Sequence, residues 1–443
     1  MGNYQGYQKY KDSGVVWLGD IPEHWEQKRF KFSVNLINNK IEAENSNLSY
    51  MGLEHIESWT GKKIEDKNAS SEGIGSHFLP NDVLFGKLRP YLAKVYLSDI
   101  EGLASTEALV LRCKNNIFPK FLKYYILSRD FINIVDSSTF GAKMPRASWD
   151  FIGNLFFIFP PLNEQQKIAQ FLDYKTKQID ELIKKKETLI EKLDEKRTAI
   201  ISHAVTKGLD SSVTMKDSGI EWLGDIPKHW KVIRLKHLAN KITDGEHISP
   251  KNIDIGIPLL SAKDIRERYI RFDDASYVTE EDAQVFWKRC KPEKGDILIV
   301  SRGATVGRIG FVEINTKFCL MGSVILIKLN DIVYPDFIYF ATNQNYVQKS
   351  IIQVSDASAQ QAIYLIDVKE TKFFIPPYNE QKQISKHLDQ KTTQIDQQKA
   401  KIKQAIELLK EYRTSLITNA VTGKIDVSQI AIPSPQKPQP QKG

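Results

Sequence analysis

Two short stretches of this 443-residue chain combine glycine with basic side chains in a way that suits the binding of a polyanion. Residues 82–95 read DVLFGKLRPYLAKV, and residues 296–312 read DILIVSRGATVGRIGFV. Arg and Lys can donate to phosphate oxygens and to the acceptor edge of guanine. The glycine spacing differs from the dinucleotide-binding fingerprint, so nucleotide binding is disfavoured, and a purely structural hairpin is the alternative. The DNA-contacting candidates here are Lys87, Arg89, Tyr91, Lys94, Ser301, Arg302, Thr305 and Arg308.

A second pair of polar stretches precedes the last apolar run of each half of the chain. Residues 141–149 read GAKMPRASW with Lys143 and Arg146, and residues 356–364 read DASAQQAIY with Gln360 and Gln361. Basic side chains again suit phosphates, and glutamine can pair with the edge of adenine. These four side chains are further candidates for DNA contact, although a glutamine pair is also typical of an ordinary polar loop.

Two other stretches place an acidic residue beside a histidine, and they are TDGEHISP at 243–250 and YMGLEHIE at 50–57. We expect them to be equivalent loops of the two halves. A metal site needs ligands at characteristic spacings, whereas the eight histidines of the chain are scattered. Hydrogen bonding within a loop is therefore the favoured interpretation of Asp244, His247 and Ser249, and Asp244 and His247 are kept as candidates for DNA contact.

Catalytic signatures of DNA-modifying enzymes are missing from the sequence. An adenine methyltransferase needs a polar residue before Pro-Pro-aromatic to hold the flipped base, but residues 159–162 read FPPL and residues 375–378 read IPPY. No Pro-Asp carboxylate accompanies the Glu-x-Lys spacings, so a nuclease metal site is not supported. We expect a protein that is not an enzyme, with no catalytic residues, no metal site and no cofactor of its own.

An internal repeat organises the elements that must position these candidates. Residues 11–31 and residues 216–236 share fourteen of twenty-one aligned positions, around the motif WLGDIPxHW. We interpret each copy as an arm held by aromatic anchors. The anchor tryptophans are Trp17, Trp25, Trp222 and Trp230.

Two long helices are predicted at 163–206 and 379–422, because both stretches lack glycine and proline. Steps of four and three along the first define a mostly apolar stripe, which the second repeats 216 positions later. The stripe comprises Ile168, Leu172, Lys175, Ile179, Leu182, Lys186, Leu189, Leu193, Lys196 and Ile200. If the stripes pair, chain direction makes the helices antiparallel, over roughly 65 Å. The stripe lysines Lys175, Lys186 and Lys196 have no assigned role.

Each arm is followed by a segment of mixed character that leads through Pro-Pro-x-Asn-Glu-Gln into a long helix. Apolar runs predict strands at Asp82–Leu88, Ala108–Cys113, Asn154–Phe159, Asp296–Ser301, Val324–Lys328 and Thr371–Ile375. Amphipathic runs predict helices at Pro119–Val135 and Pro335–Ile352. The chain is therefore an arm, a mixed domain and a helix, written twice.

Composition favours an ordinary globular protein with a polyanionic partner. The net charge is +8, and 41% of residues are hydrophobic. Three scattered cysteines do not suit a disulfide framework or a cysteine-based zinc site. Without a signal peptide or a long apolar run, we expect a cytoplasmic protein and no membrane partner. The Pro- and Gln-rich residues 425–443 are expected to form a disordered tail.

With these motifs in hand, the chain resembles the DNA specificity (S) subunit of Type I restriction-modification systems. The resemblance rests on the doubled WLGDIPxHW arms, the doubled PPxNEQ junctions, and the FGKLRPYLAKV and SRGATVGRIG stretches, and it covers residues 11–424. It implies an α+β fold in which two mixed α/β target recognition domains are separated by a long antiparallel two-helix coiled coil, with internal two-fold pseudo-symmetry. The implied divisions are 1–159 for the first arm and recognition domain, 160–208 for the central helix, 209–375 for the second arm and recognition domain, 376–424 for the second helix, and 425–443 for the tail.

The resemblance also implies a role in phage defence. The protein would read an asymmetric bipartite site in double-stranded DNA and hold two methyltransferase (modification) subunits together with motor-nuclease (restriction) subunits. S-adenosylmethionine, ATP and Mg2+ would belong to those partner subunits. Two alternatives stay open at this stage, namely a self-contained DNA methyltransferase or nuclease with fused recognition domains and a coiled-coil scaffold that does not bind DNA.

Overall fold

The computed structural model describes residues 4–42, 46–64, 73–141, 143–220, 223–248, 250–266, 269–344, 347 and 362–432. The chain divides into two compact units. Unit 1 comprises Met1–Thr188 and Ile402–Gly443, and unit 2 comprises Leu189–Lys401. Each unit therefore contains one arm, one mixed domain and one part of each long helix. Among the described residues, no helix is both long and apolar enough to cross a membrane.

The elements before the second arm follow the predicted order of arm, mixed domain and helix. The strands are β1 Tyr10–Asp12, β2 Asp20–Pro22, β3 Glu26–Arg29, β4 Val34–Ile37, β5 Lys40–Glu42, β6 Ser49–Met51, β7 Ile74–Phe78, β8 Val83–Gly86, β9 Val95–Leu97, β10 Gly102–Ala104, β11 Ala108–Cys113 and β12 Phe156–Phe159. The helices are α1 Phe30–Ser33, α2 Pro119–Ile126, α3 Arg129–Ser137, α4 Trp149–Asn154 and α5 Leu162–Lys207.

The remaining elements repeat that order. The strands are β13 Met215–Asp217, β14 Asp225–Pro227, β15 Lys231–Arg234, β16 Ala239–Asp244, β17 Ile257–Leu260, β18 Ser276–Val278, β19 Ile297–Val300, β20 Ile309–Phe311, β21 Cys319–Leu320, β22 Val324–Leu329 and β23 Lys372–Ile375. The helices are α6 Glu280–Arg289, α7 Pro335–Thr342, α8 Leu365–Glu370 and α9 Tyr378–Val421.

The central sheets of the two units have the same topology. In unit 1 the order is β4-β11-β8-β9, and in unit 2 it is β16-β22-β19-β20, with neighbours antiparallel in both. The last strand before each long helix, β12 or β23, pairs with the strand that leaves the arm, β3 or β15. The predicted α+β class and its six strands are thus confirmed.

The helix predicted at Pro119–Val135 is in fact two helices, α2 and α3. Ser128 lies between them, where its Oγ donates to the carbonyl of Tyr125 and accepts from the N–H of Phe131. A serine in this position caps the new helix and ends the continuous amphipathic run. In the second copy, α7 ends at Thr342, and most of the rest of the predicted helix lies outside the described residues.

The long helices α5 and α9 run antiparallel in each unit. In unit 1, Asp180 on α5 accepts from Arg413 on α9 at 3.0 Å. In unit 2, Asp194 faces Lys399, and Arg197 lies 3.8 Å from Asp396. As the residue number increases along α5, the number of the contacting residue on α9 decreases. This confirms the predicted antiparallel pair.

Beyond Leu172 the predicted stripe is correct at Ile179, Lys186 and Leu193, and it is wrong by one residue at the positions that alternate with them. Leu182 and Leu189 are 43% and 48% exposed, whereas Thr176 and Leu193 are buried. An α-helix packed against a neighbouring domain keeps its 3.6-residue period, so the buried line advances by four residues after Leu172 rather than three. The seam positions on α5 are Ile168, Leu172, Thr176, Ile179, Ile183, Lys186, Ile190, Leu193 and Arg197. Lys175 and Lys196 consequently lie off the seam.

The repeated arm motif joins one end of each long helix. Glu164, in the first turn of α5, accepts from the indole of Trp25 at 3.1 Å and lies 2.9 Å from the His24 ring. Glu380 of α9 makes the same pair of contacts with Trp230 and His229. The structural interpretation of Trp25 and Trp230, each only 1% exposed, agrees with this packing. Trp222 lies outside the described residues.

The glutamine of each PPxNEQ junction is buried and hydrogen-bonded to the backbone of its domain. Gln165 donates to the carbonyls of Asn116 and Pro160, and its oxygen accepts from the N–H of Phe118. Gln381 makes equivalent bonds to the backbone of unit 2. A buried amide whose hydrogen bonds are satisfied ties the start of each long helix to its domain.

The expected tail begins later than residue 425. Ile425 and Val427 are buried in the core of unit 1. The N–H of Asp426 donates to the carbonyl of Gln5 at 2.8 Å. These apolar side chains pack in a cluster that also includes N-terminal residues of the chain. Composition alone did not indicate this packing.

Candidate nucleic-acid interface

The two glycine-containing stretches form loops with the same backbone path. In unit 1 the loop joins β8 to β9, and in unit 2 it joins β19 to β20. The left-handed conformation recurs at equivalent places, with φ of 51° at Arg89 and 97° at Gly303, and 47° at Ala93 and 83° at Gly307. Glycine adopts this conformation without cost, and unit 1 adopts it with side chains present. The backbone of each stretch is a hairpin, as the structural alternative predicted. Any contact with DNA therefore depends on the side chains that the hairpin presents.

Lys94 and Arg308 do not point outward as the sequence suggested. The Lys94 ammonium donates to the carbonyls of Leu53 and Ile56 at 2.6 and 2.9 Å. The Arg308 guanidinium donates to the carbonyl of Ile265 at 3.1 Å. Each cation thereby satisfies the carbonyl of the residue that follows a short 3-10 turn, Ile56 or Ile265, which a helix end otherwise leaves unpaired. We correct both residues from DNA contacts to internal latches, a role that one-dimensional spacing cannot reveal.

These latches also correct the predicted equivalence of the two acid–histidine stretches. The 3-10 turn at Leu53–His55 corresponds to the turn at Ala262–Asp264, because the two latches hold them in the same way. The stretch 243–250 instead begins at the end of a central strand. His55 is buried, and its Nδ1 accepts from the N–H of Gly52 at 3.0 Å.

The second polar stretch of unit 1 lies directly beside the first. The N–H of Arg89 donates to the carbonyl of Pro145, and the N–H of Ala147 donates to the carbonyl of Lys87. The Arg146 guanidinium makes two bonds to Glu107, at 3.0 and 3.2 Å. This bidentate pair fixes the base of the second loop, so Arg146 is better described as a support than as a free DNA contact.

The outward surface of unit 1 therefore combines cations with apolar groups. Arg89 and Lys143 are exposed, Tyr91 is 46% exposed, and Lys87 is half-buried at the edge. Phe140 and Met144, which the sequence analysis missed, are also exposed on the adjacent loop. The sequence signal that could have indicated them is a pair of apolar residues near a glycine within a polar stretch.

The matching loop of unit 2 presents different side chains. Arg302 is exposed and Thr305 is half-buried. Ser301 is 4% exposed, and its N–H donates to the carbonyl of Ser323, so we correct it from DNA contact to support of the loop. Gln360 and Gln361 lie outside the described residues.

Asp244 and His247 form a local charged cluster with Arg289. The His247 Nε2 lies 2.8 Å from Asp244 Oδ2, and Arg289 donates to the other carboxylate oxygen. Burial alone would raise the pKa of Asp244, but the hydrogen bonds from Arg289 and His247 hold it below its usual value. The favoured interpretation of hydrogen bonding within the chain therefore describes both residues.

The Asp244 cluster predicts a loss of stability in acid. A carboxylate with a lowered folded-state pKa stabilises the fold above its unfolded pKa of about 4, and this contribution disappears as pH falls through the lower folded value. We expect Asp244→Asn to lower the thermal midpoint at neutral pH, and the difference from the parent protein to shrink as the pH falls below about 4. Differential scanning calorimetry across this range tests it, and a constant difference at every pH would contradict the assignment.

Comparison with known proteins finds one family twice along the chain. The model of the family "Type I restriction modification DNA specificity domain" matches twice, at residues 11–192 and 227–408. The chain is 23% identical to the EcoBI Type I restriction enzyme specificity subunit of Escherichia coli, over 78% of this chain and 74% of that protein. It is 27% identical to the putative MjaX specificity subunit of Methanocaldococcus jannaschii, over 95% and 98%.

Solved structures show the same fold. A chain from work on complex assembly and conformational transition of the type I R-M system matches with a TM-score of 0.71 and 19% identity, covering 90% of this chain and 98% of that one. The HsdS subunit from Thermoanaerobacter tengcongensis matches with a TM-score of 0.55 and 20% identity, covering 91% and 98%. With two family matches spanning most of its length, the chain belongs to the Type I restriction-modification DNA specificity family.

Proposed function

We propose that this protein is the sequence-specific DNA-binding subunit of a Type I restriction-modification complex and reads an asymmetric bipartite site. The observation that carries the proposal is the pair of loops with one backbone path and unlike exposed side chains. Arg89, Tyr91 and Lys143 are offered by unit 1, and Arg302 and Thr305 by unit 2. Because base edges are read by side chains, equal scaffolds with unlike side chains read unlike half-sites.

The proposal includes partner subunits that perform the chemistry. Leu182, in the part of α5 that belongs to unit 1, lies off the helix seam and is 43% exposed. An exposed leucine on a helix face suits packing against another helix. We assign this face to methyltransferase subunits for adenine methylation, with motor-nuclease subunits joining for restriction. S-adenosylmethionine, ATP and Mg2+ belong to those partners in this proposal, and this chain contributes specificity.

Substitution of the exposed arginines tests the proposal. We expect Arg89→Ala to weaken binding by about 1–3 kcal/mol and to relax specificity in one half-site, and Arg302→Ala to do the same in the other. The physical reason is the loss of a planar donor that can bind guanine or phosphate. Co-expression with the cognate methyltransferase subunit, followed by sequencing of methylated bases, measures both half-sites at once.

The control is Lys9→Ala, which removes an exposed lysine just before the first arm, 3.9 Å from Glu23. It should leave both half-sites unchanged. Methylation of unrelated sequences by the parent complex would overturn the proposal as a whole. Unchanged methylation in both arginine variants would overturn only the assignment of these loops.

A further inference from the structure

A large cleft in unit 1 lies behind the β8–β9 loop, whose Ala93 carbonyl accepts from the N–H of Trp59 in the cleft wall. Its volume is about 1240 Å3, and it opens between the chain at 57–62, helices α2 and α3, and the parts of α5 and α9 that belong to this unit. Volumes of this order accommodate small organic ligands. Trp59, at the wall of the cleft, has a φ of 64°, a costly conformation for a tryptophan that the surrounding contacts maintain.

The acidic side chains inside the cleft are already neutralised. Asp180 accepts from Arg413 at 3.0 Å and from Lys62 at 2.8 Å. Asp173 accepts from Lys120 at 2.8 Å and from the Tyr124 hydroxyl at 2.7 Å. Both carboxylates therefore already have a cationic partner, and Lys123 is the lining cation beside them that has none among the described residues.

Lys123 lies on α2. Its ammonium lies 4.7 Å from the centre of the Tyr124 ring, and the described residues provide no carboxylate in ion-pair contact with it. Burial lowers the pKa of Lys123, because the group has lost water without gaining a hydrogen-bonded anion. The whole lining of the cleft contains seven basic and six acidic side chains, which leaves an excess of one positive charge.

We propose that this cleft binds a small phosphorylated ligand, with Lys123 donating to a phosphate oxygen. Phosphate is the chemical class that fits, because it is an anion with several acceptors, and the cleft offers a lysine without an anionic partner among the described residues and one more basic than acidic side chain. Arg129, at the rim, can add donors. This inference does not depend on the proposed reading of DNA.

Calorimetric titration of the full chain with pyrophosphate and with ATP tests the proposal. We expect saturable binding of both, and a loss of roughly ten- to a hundredfold in affinity for Lys123→Met, as for a lost charge-assisted hydrogen bond. The matched control is Lys410→Met, which removes a rim lysine bonded to Glu407 at 2.8 Å. It should change affinity by less than about threefold.

A second measurement keeps the test independent of folding defects. In the parent protein, an amine-reactive reagent should label Lys123, and pyrophosphate should protect it. Lys123→Met should unfold at a temperature no lower than the parent, because it removes an uncompensated buried charge. If neither phosphate compound binds, if Lys123→Met binds as tightly as the parent, or if duplex DNA protects Lys123 while pyrophosphate does not, the proposal is overturned. Equal affinity for the two compounds supports a site for phosphate alone, and tighter ATP binding supports one that also holds the nucleoside.

Discussion

Arg413→Met is expected to destabilise unit 1 by about 3 kcal/mol. The Arg413 side chain is only 6% exposed, and it makes three contacts that no methionine can replace. Its guanidinium donates to Asp180 at 3.0 Å and to the carbonyls of Trp59 and Thr60 at 2.8 and 3.2 Å. The substitution leaves the half-buried Asp180 carboxylate with one cation fewer and two carbonyls without their donor, which is the costly way to break an ion pair whose arginine is buried.

Urea denaturation and hydrogen exchange measure this loss. The midpoint should fall, and the amides at 57–62 should exchange faster, since Arg413 fastens this segment to α9. The matched control is Lys410→Met, one turn earlier on the same helix, where an exposed pair contributes less than about 1 kcal/mol. Equal effects of the two substitutions would show that Arg413 has no special structural role.

Lengthening both long helices by one heptad is expected to lengthen the gap between accepted half-sites by about three base pairs. A heptad adds roughly 10.5 Å of helix, and successive base pairs rise about 3.4 Å. Asp194 faces Lys399, so two residues earlier on α5 Lys192 comes opposite Lys401. Duplicating residues 186–192 in α5 and residues 401–407 in α9 therefore extends both helices at the same level of the seam.

The matched control duplicates residues 186–192 in α5 alone. It places unlike seam positions opposite each other, so the complex should lose affinity and not acquire a new gap. Sequencing of methylated bases after co-expression with the methyltransferase subunit compares the two variants. A gap of unchanged length in an intact, active double variant would show that these helices do not set the spacing.

Much of the fold is determined by local sequence signals. The arm repeats mark the start of each half, and the proline-rich junctions mark the start of α5 and α9 to within one residue. The strand β11 occupies the predicted residues, because a six-residue apolar run in a buried sheet has few other places to go. Periodicity also determined the direction of the helix pair, since chain connection leaves one orientation for pairing stripes.

The candidate site was predicted as loops with individual contact residues. Lys87, Arg89 and Tyr91 do lie in one loop, between β8 and β9, but the sequence could not show that residues 143–146 lie beside it. That neighbourhood is produced by hydrogen bonds between Arg89 and Pro145 and between Ala147 and Lys87, which join segments more than fifty residues apart. Phe140 and Met144 were missed because exposure is a property of the packed domain.

The sequence by itself determined the duplicated plan, the element types and the basic character of the loops, because these depend on composition and on short periods. Only the tertiary structure decided which cations turn inward. Lys94 and Arg308 bind carbonyls that reach them from other parts of their domains, and Lys123 lies in a cleft formed by both long helices. The residue type determines the charge of a side chain. The direction in which a long, flexible side chain points depends on which acceptors folding brings within reach.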